Sequence, residues 1–358
     1  MDKSISIIIP TYNEKDNLVP LVEKLHAVLS GYPYEVILMD DNSRDGTIEL
    51  AQSLSSKYPV RIIVRTGVRG LATAVADGFK HAGGQYFVVM DADLQHPPDL
   101  IPNLLEALEN GADIAVASRY VKGGGMQNWS TVRKIISRGA IVISHTLLPA
   151  SRTVKDITSG FFALKREVVA DAELKPIGWK ILLETLYMGQ AQKTVEVPFM
   201  FALRTRGSSK LNSRQQIEYL KHIWSLMKRK GEHWRFLKFI AVGLSGVGVN
   251  EGVYWLLTRP ISLYDVAAQA ISFEVSVISN FTLNDFFTFP DRRAPGAARF
   301  GRRLFKFNLV SLVGLGFQTG ALLLFTRVIH LHDMVALLIG IILATIWNYF
   351  VNSIWTWK

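Results

Sequence analysis

Four long apolar segments near the end of the chain constrain its fold more than any other feature of the sequence. They cover approximately residues 236–257, 266–289, 304–328 and 334–355. Each is close to the ~20 residues that an α-helix needs to cross a hydrocarbon layer about 30 Å thick. Buried core helices are the alternative, but four such segments in succession favour membrane spans. The sequence therefore predicts an integral, multi-pass membrane protein.

These apolar segments contain an internal repeat with an offset of 68 residues. Matched pairs include Gly246 with Gly314, Asn280 with Asn348, and Asn284 with Asn352. The repeat predicts two helical hairpins that share one orientation. The connection at residues 291–303 carries five arginines, whereas the two neighbouring connections are short and much less basic. By the positive-inside rule, we expect this connection and both termini to face the cytoplasm.

The first two hundred residues read like a water-soluble α/β domain. Short apolar runs that predict strands occur at residues 5–9, 35–39, 60–64, 86–90 and 114–118, with helical segments at 18–29, 47–56 and 72–82 between them. This alternation predicts βαβ crossovers and a mostly parallel sheet. In such a sheet, ligands bind beyond the carboxyl ends of the strands. Polar residues that directly follow the strands are therefore expected to converge on one crevice.

An acidic segment, Asp91-Ala92-Asp93-Leu94-Gln95, directly follows the strand at residues 86–90. In an extended backbone alternate side chains point the same way, so Asp91, Asp93 and Gln95 can offer oxygen ligands to one hard cation. Mg²⁺ or Mn²⁺ would suit these ligands. An isolated Asp-x-Asp is more often a solvated turn. Here the preceding apolar strand and the His-Pro-Pro-Asp sequence at residues 96–99, which ends the segment, favour a metal site.

A second polar group combines the segment at residues 10–14, after the first strand, with Asp41 after the second. Such strand ends can hold a base and a ribose through an aromatic face and hydrogen-bonding carboxylates. Helix capping by Asn13 or Asp16 is the alternative. No Gly-x-Gly-x-x-Gly or Walker sequence follows a strand, so a dinucleotide-binding or ATPase function loses its main support.

A third group consists of residues that could meet phosphates through arginine forks and lysine charges. It comprises Arg119, Arg133 with Ser137, Lys180, Arg204 and Lys210. Surface solvation is the alternative for most basic residues. The net charge is +10, and the lysines and arginines concentrate beside the apolar segments rather than among exposed aromatic residues. This distribution favours anionic lipid head groups as partners and argues against nucleic acid.

Two amphipathic stretches, at residues 132–148 and 204–235, combine apolar residues at helical spacing with lysine and arginine. This pattern is typical of helices that lie in a membrane interface, although packing on the domain is the alternative. We thus divide the chain into a domain at residues 1–210 with an interface helix at about 130–148, an interface helix or linker at 211–235, and a membrane domain at 236–358. The apolar run at 5–9 is too short for a signal peptide, so we expect a cytoplasmic front half.

The motifs at residues 7–14, 40–47, 91–98, 117–120, 156–161 and 208–211 resemble those of the inverting family 2 glycosyltransferases with a GT-A fold. The specific resemblance is to dolichyl-phosphate mannose synthases. They occur in order and span nearly all of residues 4–211. The C-terminal part is similar to the GtrA-type four-helix membrane domain, on the basis of its glycines and paired asparagines.

The resemblance implies transfer of mannose from GDP-mannose to dolichyl or another polyprenyl phosphate, with inversion at the anomeric carbon. It implies four sets of site residues: Pro10, Tyr12, Glu14 and Asp41 for the nucleoside; Asp91, Asp93 and Gln95 for the metal that bridges the diphosphate; Lys180, Arg204 and Lys210 for the phosphates; and Arg119, Arg133 and Ser137 for the lipid phosphate. A phosphate monoester is largely a dianion at neutral pH, because its second pKa is about 6. Asp93 is therefore expected to be a metal ligand rather than a catalytic base.

Three alternatives remain at this point. A UDP-sugar, for instance UDP-glucose, could replace GDP-mannose as the donor for the same kind of acceptor. The repeated hairpins could instead transport a lipid-linked sugar. The front half could also sense nucleotides in a membrane adaptor without enzymatic activity.

Overall fold

The computed structural model describes residues 4–126, 129–201, 213–293 and 295–357. The chain forms two compact units, of which the first extends to Leu226 and the second starts at Met227. This division lies inside one helix, Ser213–Arg229, in the stretch where the sequence suggests a linker.

The first unit alternates strands and helices in the order that the sequence predicts. Its strands are β1 (Ile5–Thr11), β2 (Tyr34–Asp40), β3 (Val60–Val64), β4 (Tyr86–Val89), β5 (Ile114–Ser118), β6 (Gly125–Met126), β7 (Phe162–Lys165), β8 (Thr194–Pro198) and β9 (Met200–Phe201). Its helices are α1 (Lys15–Val28), α2 (Thr47–Leu54), α3 (Leu71–His81), α4 (Ile101–Glu109), α5 (Thr131–Leu147), α6 (Glu167–Ala170), α7 (Ile181–Met188) and α8 (Ser213–Arg229).

Seven of these strands form one sheet in the order β3-β2-β1-β4-β7-β5-β8. All neighbouring pairs are parallel except those of β7, which runs antiparallel to both β4 and β5. The prediction of a mostly parallel sheet is confirmed, although the sequence patterns do not indicate β7. Because β7 is antiparallel to both β4 and β5, these two strands run in the same direction. The carboxyl ends of β1 to β5 therefore share one edge of the sheet.

Strand β1 lies at the centre of the core, and its alternating side chains serve both faces of the sheet. Ile7 and Ile9 belong to a buried cluster with Leu18 and Leu21 of α1. Ile8 points to the other face, where a Cβ added to Gly78 of α3 would overlap the Ile8 side chain. Helices thus cover both faces of the sheet, which gives the loops at its edge a rigid support.

Helices α5 and α8 correspond to the two amphipathic stretches. On α5, Ile135 and Ile136 are exposed, Ile135 by 64%. On α8 the apolar residues lie at helical spacing along one side of the helix, as the sequence predicts, but they differ in exposure. Ile223 and Met227 are buried, whereas the apolar residues Ile217, Leu220 and Trp224 remain exposed. Both helices therefore keep apolar surface that the first unit does not cover.

Within its described residues, the second unit contains four long helices. They are α9 (His233–Thr258), α10 (Asp265–Leu283), α11 (Ala297–Leu323) and α12 (Asp333–Val351). The last three continue into π-helical turns at Asn284–Thr288, Leu324–Val328 and Asn352–Thr356. With these turns, all four are long and apolar enough to cross a membrane, as the sequence predicts.

The two hairpins of the second unit show matching contacts at the offset of 68 residues. A Cβ on Gly246 would overlap the side chain of Asn280, and a Cβ on Gly314 would come within 2.6 Å of the Asn348 amide oxygen. The small residue in each hairpin thus allows its two helices to pack closely. Phe289 and Trp357, which are also 68 positions apart, stack on each other with centroids 4.5 Å apart.

Candidate active site

Loops at the shared edge of the sheet carry most of the polar residues singled out from the sequence. Three of these loops contain a non-glycine residue in the left-handed region: Asn13 at φ 57°, Asn42 at φ 63° and Leu94 at φ 61°. Asparagine tolerates this conformation, but a bulky leucine rarely adopts it. Such strain concentrates at functional sites, where the surrounding structure holds it in place. The loops after β1, β2 and β4 are therefore candidate ligand-binding loops.

The acidic segment after β4 does not have the extended backbone expected from the sequence. Strand β4 ends at Val89, and the positive φ of Leu94 turns the chain, so strict alternation of side chains is wrong here. The turn is held by hydrogen bonds instead. The Asp91 backbone N–H donates to Nδ1 of His96 at 3.0 Å, and the Gln95 backbone N–H donates to Oδ1 of Asp93 at 3.1 Å.

His96 acts as the internal support of this turn. Its ring is buried and stacks on Phe161 with centroids 5.2 Å apart. Burial lowers the pKa of His96, although the charges of Asp91 and Asp93 oppose the change. A neutral ring is also what its hydrogen bond requires, because Nδ1 accepts the Asp91 N–H. The aromatic packing therefore fixes the backbone that carries Asp91.

A divalent cation fits beside Asp91. Asp91 is partly exposed, and a Cβ on Gly160 would lie 3.5 Å from its Oδ2, so the glycine keeps this space open. No cluster of three histidine, cysteine or acidic side chains that could hold a metal occurs among the described residues. Mg²⁺ is commonly bound by one or two carboxylates together with substrate phosphates, which is the arrangement that Asp91 and Asp93 could provide.

The residues that the resemblance assigns to the nucleoside centre on Asp41. Arg65, directly after β3, donates to Oδ1 of Asp41, and the Gly70 N–H donates to Oδ2 at 2.8 Å. Tyr12 lies after β1 with its ring exposed, and the Arg69 guanidinium is 5.4 Å from the ring centroid. Asp41 is thus held in place on both oxygens, while the aromatic ring of Tyr12 stays exposed beside it.

Pro10 and Glu14 flank Tyr12. Pro10 belongs to β1, and Glu14 precedes α1. The Glu14 backbone N–H donates to Oγ1 of Thr47 at 3.0 Å, and its Oε2 accepts from Asn17 at 2.6 Å. These bonds tie the loop after β1 to the start of α2.

Arg119, directly after β5, is held by a buried fork. Its Nε and Nη2 donate to the two carboxylate oxygens of Asp156 at 2.7 Å each, and Nη2 also donates to Oγ1 of Thr158 at 2.9 Å. Burial alone would lower the pKa of Arg119, but the hydrogen bonds and the charge of Asp156 outweigh it and raise the pKa. Among the described residues, Nη1 takes no part in this fork, so it can donate to another group.

Two residues of α5, Arg133 and Ser137, contact the aromatic side chains that lie beside Arg119. The guanidinium carbon of Arg133 lies 4.1 Å from the centroid of the Trp129 ring, and that of Arg119 lies 5.2 Å from it. The Tyr120 hydroxyl donates to Oγ of Ser137 at 2.9 Å. The structure therefore brings together the three residues that the resemblance assigns to a lipid phosphate.

Lys180 lies close to both the acidic segment after β4 and the arginines Arg119 and Arg133. Its Nζ donates to the carbonyl oxygen of Thr158 at 2.8 Å. Burial, followed by the charge of Arg119, lowers the pKa of Lys180 to about 8. Asp91 and Arg133 also act on this ammonium electrostatically. Arg204 and Lys210 lie outside the described residues.

Several residues of this site were missed or given no role from the sequence. They are Arg65, Arg69, His96, Tyr120, Trp129 and Asp156. Arg65 directly follows a strand, so the strand-end rule that selected Asp41 and Arg119 could also have found it. Asp156 begins the motif at residues 156–161 but received no role of its own, and Trp129 belongs to none of the motifs that carry the resemblance.

Two family matches cover most of the chain. Residues 6–172 match Glycosyl transferase family 2, and residues 238–357 match the GtrA/DPMS transmembrane domain. The chain is also similar to the protein named dolichol-phosphate mannosyltransferase in Pyrococcus furiosus, with 49% identity over 355 residues that cover 99% of each chain. The protein of the same name from Saccharomyces cerevisiae is 41% identical over 239 residues, which cover 63% of this chain and 88% of the yeast protein.

Among solved structures, glucosyl-3-phosphoglycerate synthase from Mycobacterium tuberculosis is similar to this chain. Its complex with Mn²⁺, UDP-glucose and phosphoglyceric acid matches with a TM-score of 0.51 and 19% identity, covering 64% of this chain and 80% of that one. At this identity the likeness shows the fold alone. Together with the family match, it confirms the GT-A-like fold expected from the sequence.

Proposed function

The chain belongs to the dolichol-phosphate mannosyltransferases, and we propose that it transfers mannose from GDP-mannose to dolichyl or another polyprenyl phosphate, with inversion. One observation carries this proposal. Arg119 and Arg133 converge on Trp129, and the charge of Asp91 acts on both Arg119 and the neighbouring Lys180. A cationic place for an anionic acceptor thus adjoins the carboxylates that suit a nucleotide-sugar donor.

The donor would lie along the loops after β1, β2 and β4. Tyr12 offers its ring to the base, and Asp41 and Glu14 offer carboxylate oxygens to the nucleoside. Asp91 and Asp93, with Gln95, are the residues that would hold Mg²⁺ or Mn²⁺ against the diphosphate. The cation supplies positive charge that stabilises the leaving diphosphate. Lys180 adds a charge of the same sign, and we assign Arg204 and Lys210 to the phosphates as well.

The acceptor needs orientation more than activation. Its phosphate is largely a dianion at neutral pH, so it attacks the anomeric carbon without a general base. Arg119 Nη1 and the Arg133 guanidinium can donate to the phosphate oxygens, and Ser137 lies beside them. In-line attack inverts the anomeric centre and gives a β-linked mannosyl phosphate from an α-linked donor.

The acceptor lipid also sets the position of the enzyme on the membrane. Withdrawing a polyprenyl chain from the bilayer costs about 0.8 kcal/mol per CH₂, so the head group must reach up to the site. The exposed isoleucines of α5 and the exposed apolar face of α8 are suited to the interface. We therefore assign residues 1–210 to a cytoplasmic catalytic domain, 211–235 to an interface segment and 236–358 to the membrane domain, with both termini in the cytoplasm.

The test is turnover by purified protein supplied with polyprenyl phosphate, Mg²⁺ and a panel of nucleotide sugars. We expect mannose transfer from GDP-mannose without any membrane gradient, and its loss in Asp91→Asn. The matched control is Asp99→Asn, which changes an exposed carboxylate a few residues away. Turnover only with UDP-glucose would replace the donor, whereas nucleotide binding without turnover would support a sensing adaptor. Movement of a lipid-linked sugar without turnover would support a transporter.

A further inference from the structure

A buried ion cluster occupies one end of the second unit. Asp285, in the π-helical turn after α10, is fully buried. The Trp357 indole N–H donates to its Oδ1 at 2.8 Å. Nη2 of Arg303 lies 3.2 Å from Oδ2, and Nε of Arg293 lies 3.3 Å from the same oxygen. One carboxylate therefore faces two guanidinium groups.

The charges of this cluster do not balance. Asp285 with Arg293 and Arg303 carries a net charge of +1. Arg292 adds a further positive charge beside the cluster, where its Nη1 donates to the carbonyl oxygen of Ser353 at 2.9 Å. Asp291, which lies 3.8 Å from Arg292, is shared with Arg235 at 2.9 Å. Among the described residues at this end of the unit, positive charge is therefore in excess.

Arg303 also has N–H groups that find no acceptor among the described residues. Its side chain is only 9% exposed. Within the part of the chain that the structure describes, Nε and Nη1 of Arg303 have no hydrogen-bond partner. A buried cation is unfavourable unless its charge is paired and its N–H groups are bonded. The cluster thus offers two buried donors and one unpaired positive charge, which suit a singly charged anion with several acceptor oxygens.

We propose that Arg303 and Arg293 bind the phosphate of an anionic membrane lipid. In a bundle of four successive antiparallel helices, the start of α9, the end of α10, the start of α11 and the end of α12 lie at the same end. The ends of membrane-spanning helices lie near lipid head groups, and basic residues there attract anionic lipids. A guanidinium fork matches the geometry of phosphate oxygens.

The repeat supplies an internal comparison. Arg235 precedes Arg303 by 68 positions and is its equivalent in the first hairpin. Its side chain is 29% exposed and pairs with Asp291, so it resembles an ordinary surface arginine. The buried, incompletely bonded guanidinium is thus a property of position 303 rather than of the repeat.

The test measures lipid binding to the full chain in detergent, through the melting temperature and the lipid retained in native mass spectrometry. Phosphatidylglycerol is the probe, and we expect a saturable rise in Tm of about 2–4 °C for the wild type. Arg303→Gln should lose both the rise and the retained lipid. The control Arg299→Gln changes an exposed arginine of the same helix and should respond like the wild type.

A second variant keeps the test informative if Arg303→Gln fails to fold. Asp285→Asn preserves the shape and an oxygen for the Trp357 N–H, but raises the net charge of the cluster by one. We expect it to be less stable without phosphatidylglycerol and to gain more Tm from it than the wild type does. A purely structural ion pair predicts the same loss with and without the lipid, and that result would overturn the site.

Further probes identify the source of the phosphate. Phosphatidylcholine, whose head group has no net charge, and inorganic phosphate should give much smaller shifts at matched concentration. An equal shift with inorganic phosphate would refute a lipid as the ligand. A shift with polyprenyl phosphate that depends on Arg303, without one from phosphatidylglycerol, would refute the phospholipid and assign the site to the acceptor lipid.

Discussion

Asp156→Asn is the most direct test of how the acceptor site is built. Asp156 is fully buried and accepts four hydrogen bonds: three from Arg119 and one from Thr158. An asparagine can keep an oxygen where Oδ2 accepts from the Arg119 backbone N–H and Nε. Its amide NH₂ then takes the place of Oδ1 and faces the donors Nη2 and Thr158 Oγ1. The substitution therefore removes two bonds and the charge that compensates Arg119.

The size of the effect follows from this geometry. Breaking a buried ion pair by removing one partner costs about 3–5 kcal/mol. Arg119 will in part relieve this cost by moving, and a displacement of ~1 Å of a positioning group can reduce the rate about 100-fold. We expect kcat/KM for polyprenyl phosphate to fall by roughly that factor. The KM for GDP-mannose should change much less, because Asp156 does not belong to the nucleoside loops.

The assay follows mannosyl transfer with each substrate varied in turn, together with the melting temperature of each variant. Asp113→Asn is the control, since Asp113 is a salt-bridged carboxylate that precedes β5, whereas Arg119 follows it. This control should lose stability without a selective loss for the acceptor. Wild-type kinetics for the lipid in folded Asp156→Asn would refute the idea that Asp156 positions Arg119 for the phosphate.

Three further outcomes are expected. Lys180 loses its charge as the pH rises through about 8, so the KM for GDP-mannose should rise about tenfold between roughly pH 7 and pH 9.5. The KM of Lys180→Arg should not rise over this range, because arginine keeps its charge. A KM that does not change with pH in either protein would contradict this role of Lys180. Gly246→Ala should destabilise the membrane unit by about 1–3 kcal/mol through its overlap with Asn280, whereas Gly248→Ala, which meets nothing within 4 Å, should be nearly neutral in thermal unfolding. A divalent chelator should abolish wild-type transfer and restored Mg²⁺ should recover it, while Asp91→Asn should remain inactive at any Mg²⁺ concentration; unchanged activity after chelation would exclude the metal.

Sequence patterns predicted the elements whose signals are local. Strands β1 to β5 appear within about two residues of their predicted bounds because each is an apolar run closed by polar residues. Strand β7 has only four residues, and its place is set by antiparallel pairing with two strands that are distant along the chain. Nothing within Phe162–Lys165 encodes that pairing.

The site shows the same division between local and distant causes. The strand-end rule placed Asp41, Asp91 and Arg119 at one edge of the sheet. It could not foresee the left-handed Leu94, because leucine gives no signal for that conformation and the surrounding turn imposes it. The partnership of Arg119 with Asp156 joins residues 37 positions apart, and it became visible only in three dimensions.

The exposed isoleucines of α5 have a practical consequence for anyone who wishes to study catalysis in isolation. A chain cut after Leu226 would shed all four spanning helices yet keep Ile135, Ile136 and the outer side of α8 uncovered. Apolar patches of this kind promote self-association when no partner covers them. Such a fragment should require detergent or vesicles to stay dispersed. Its aggregation without them would result from exposed apolar surface rather than from misfolding.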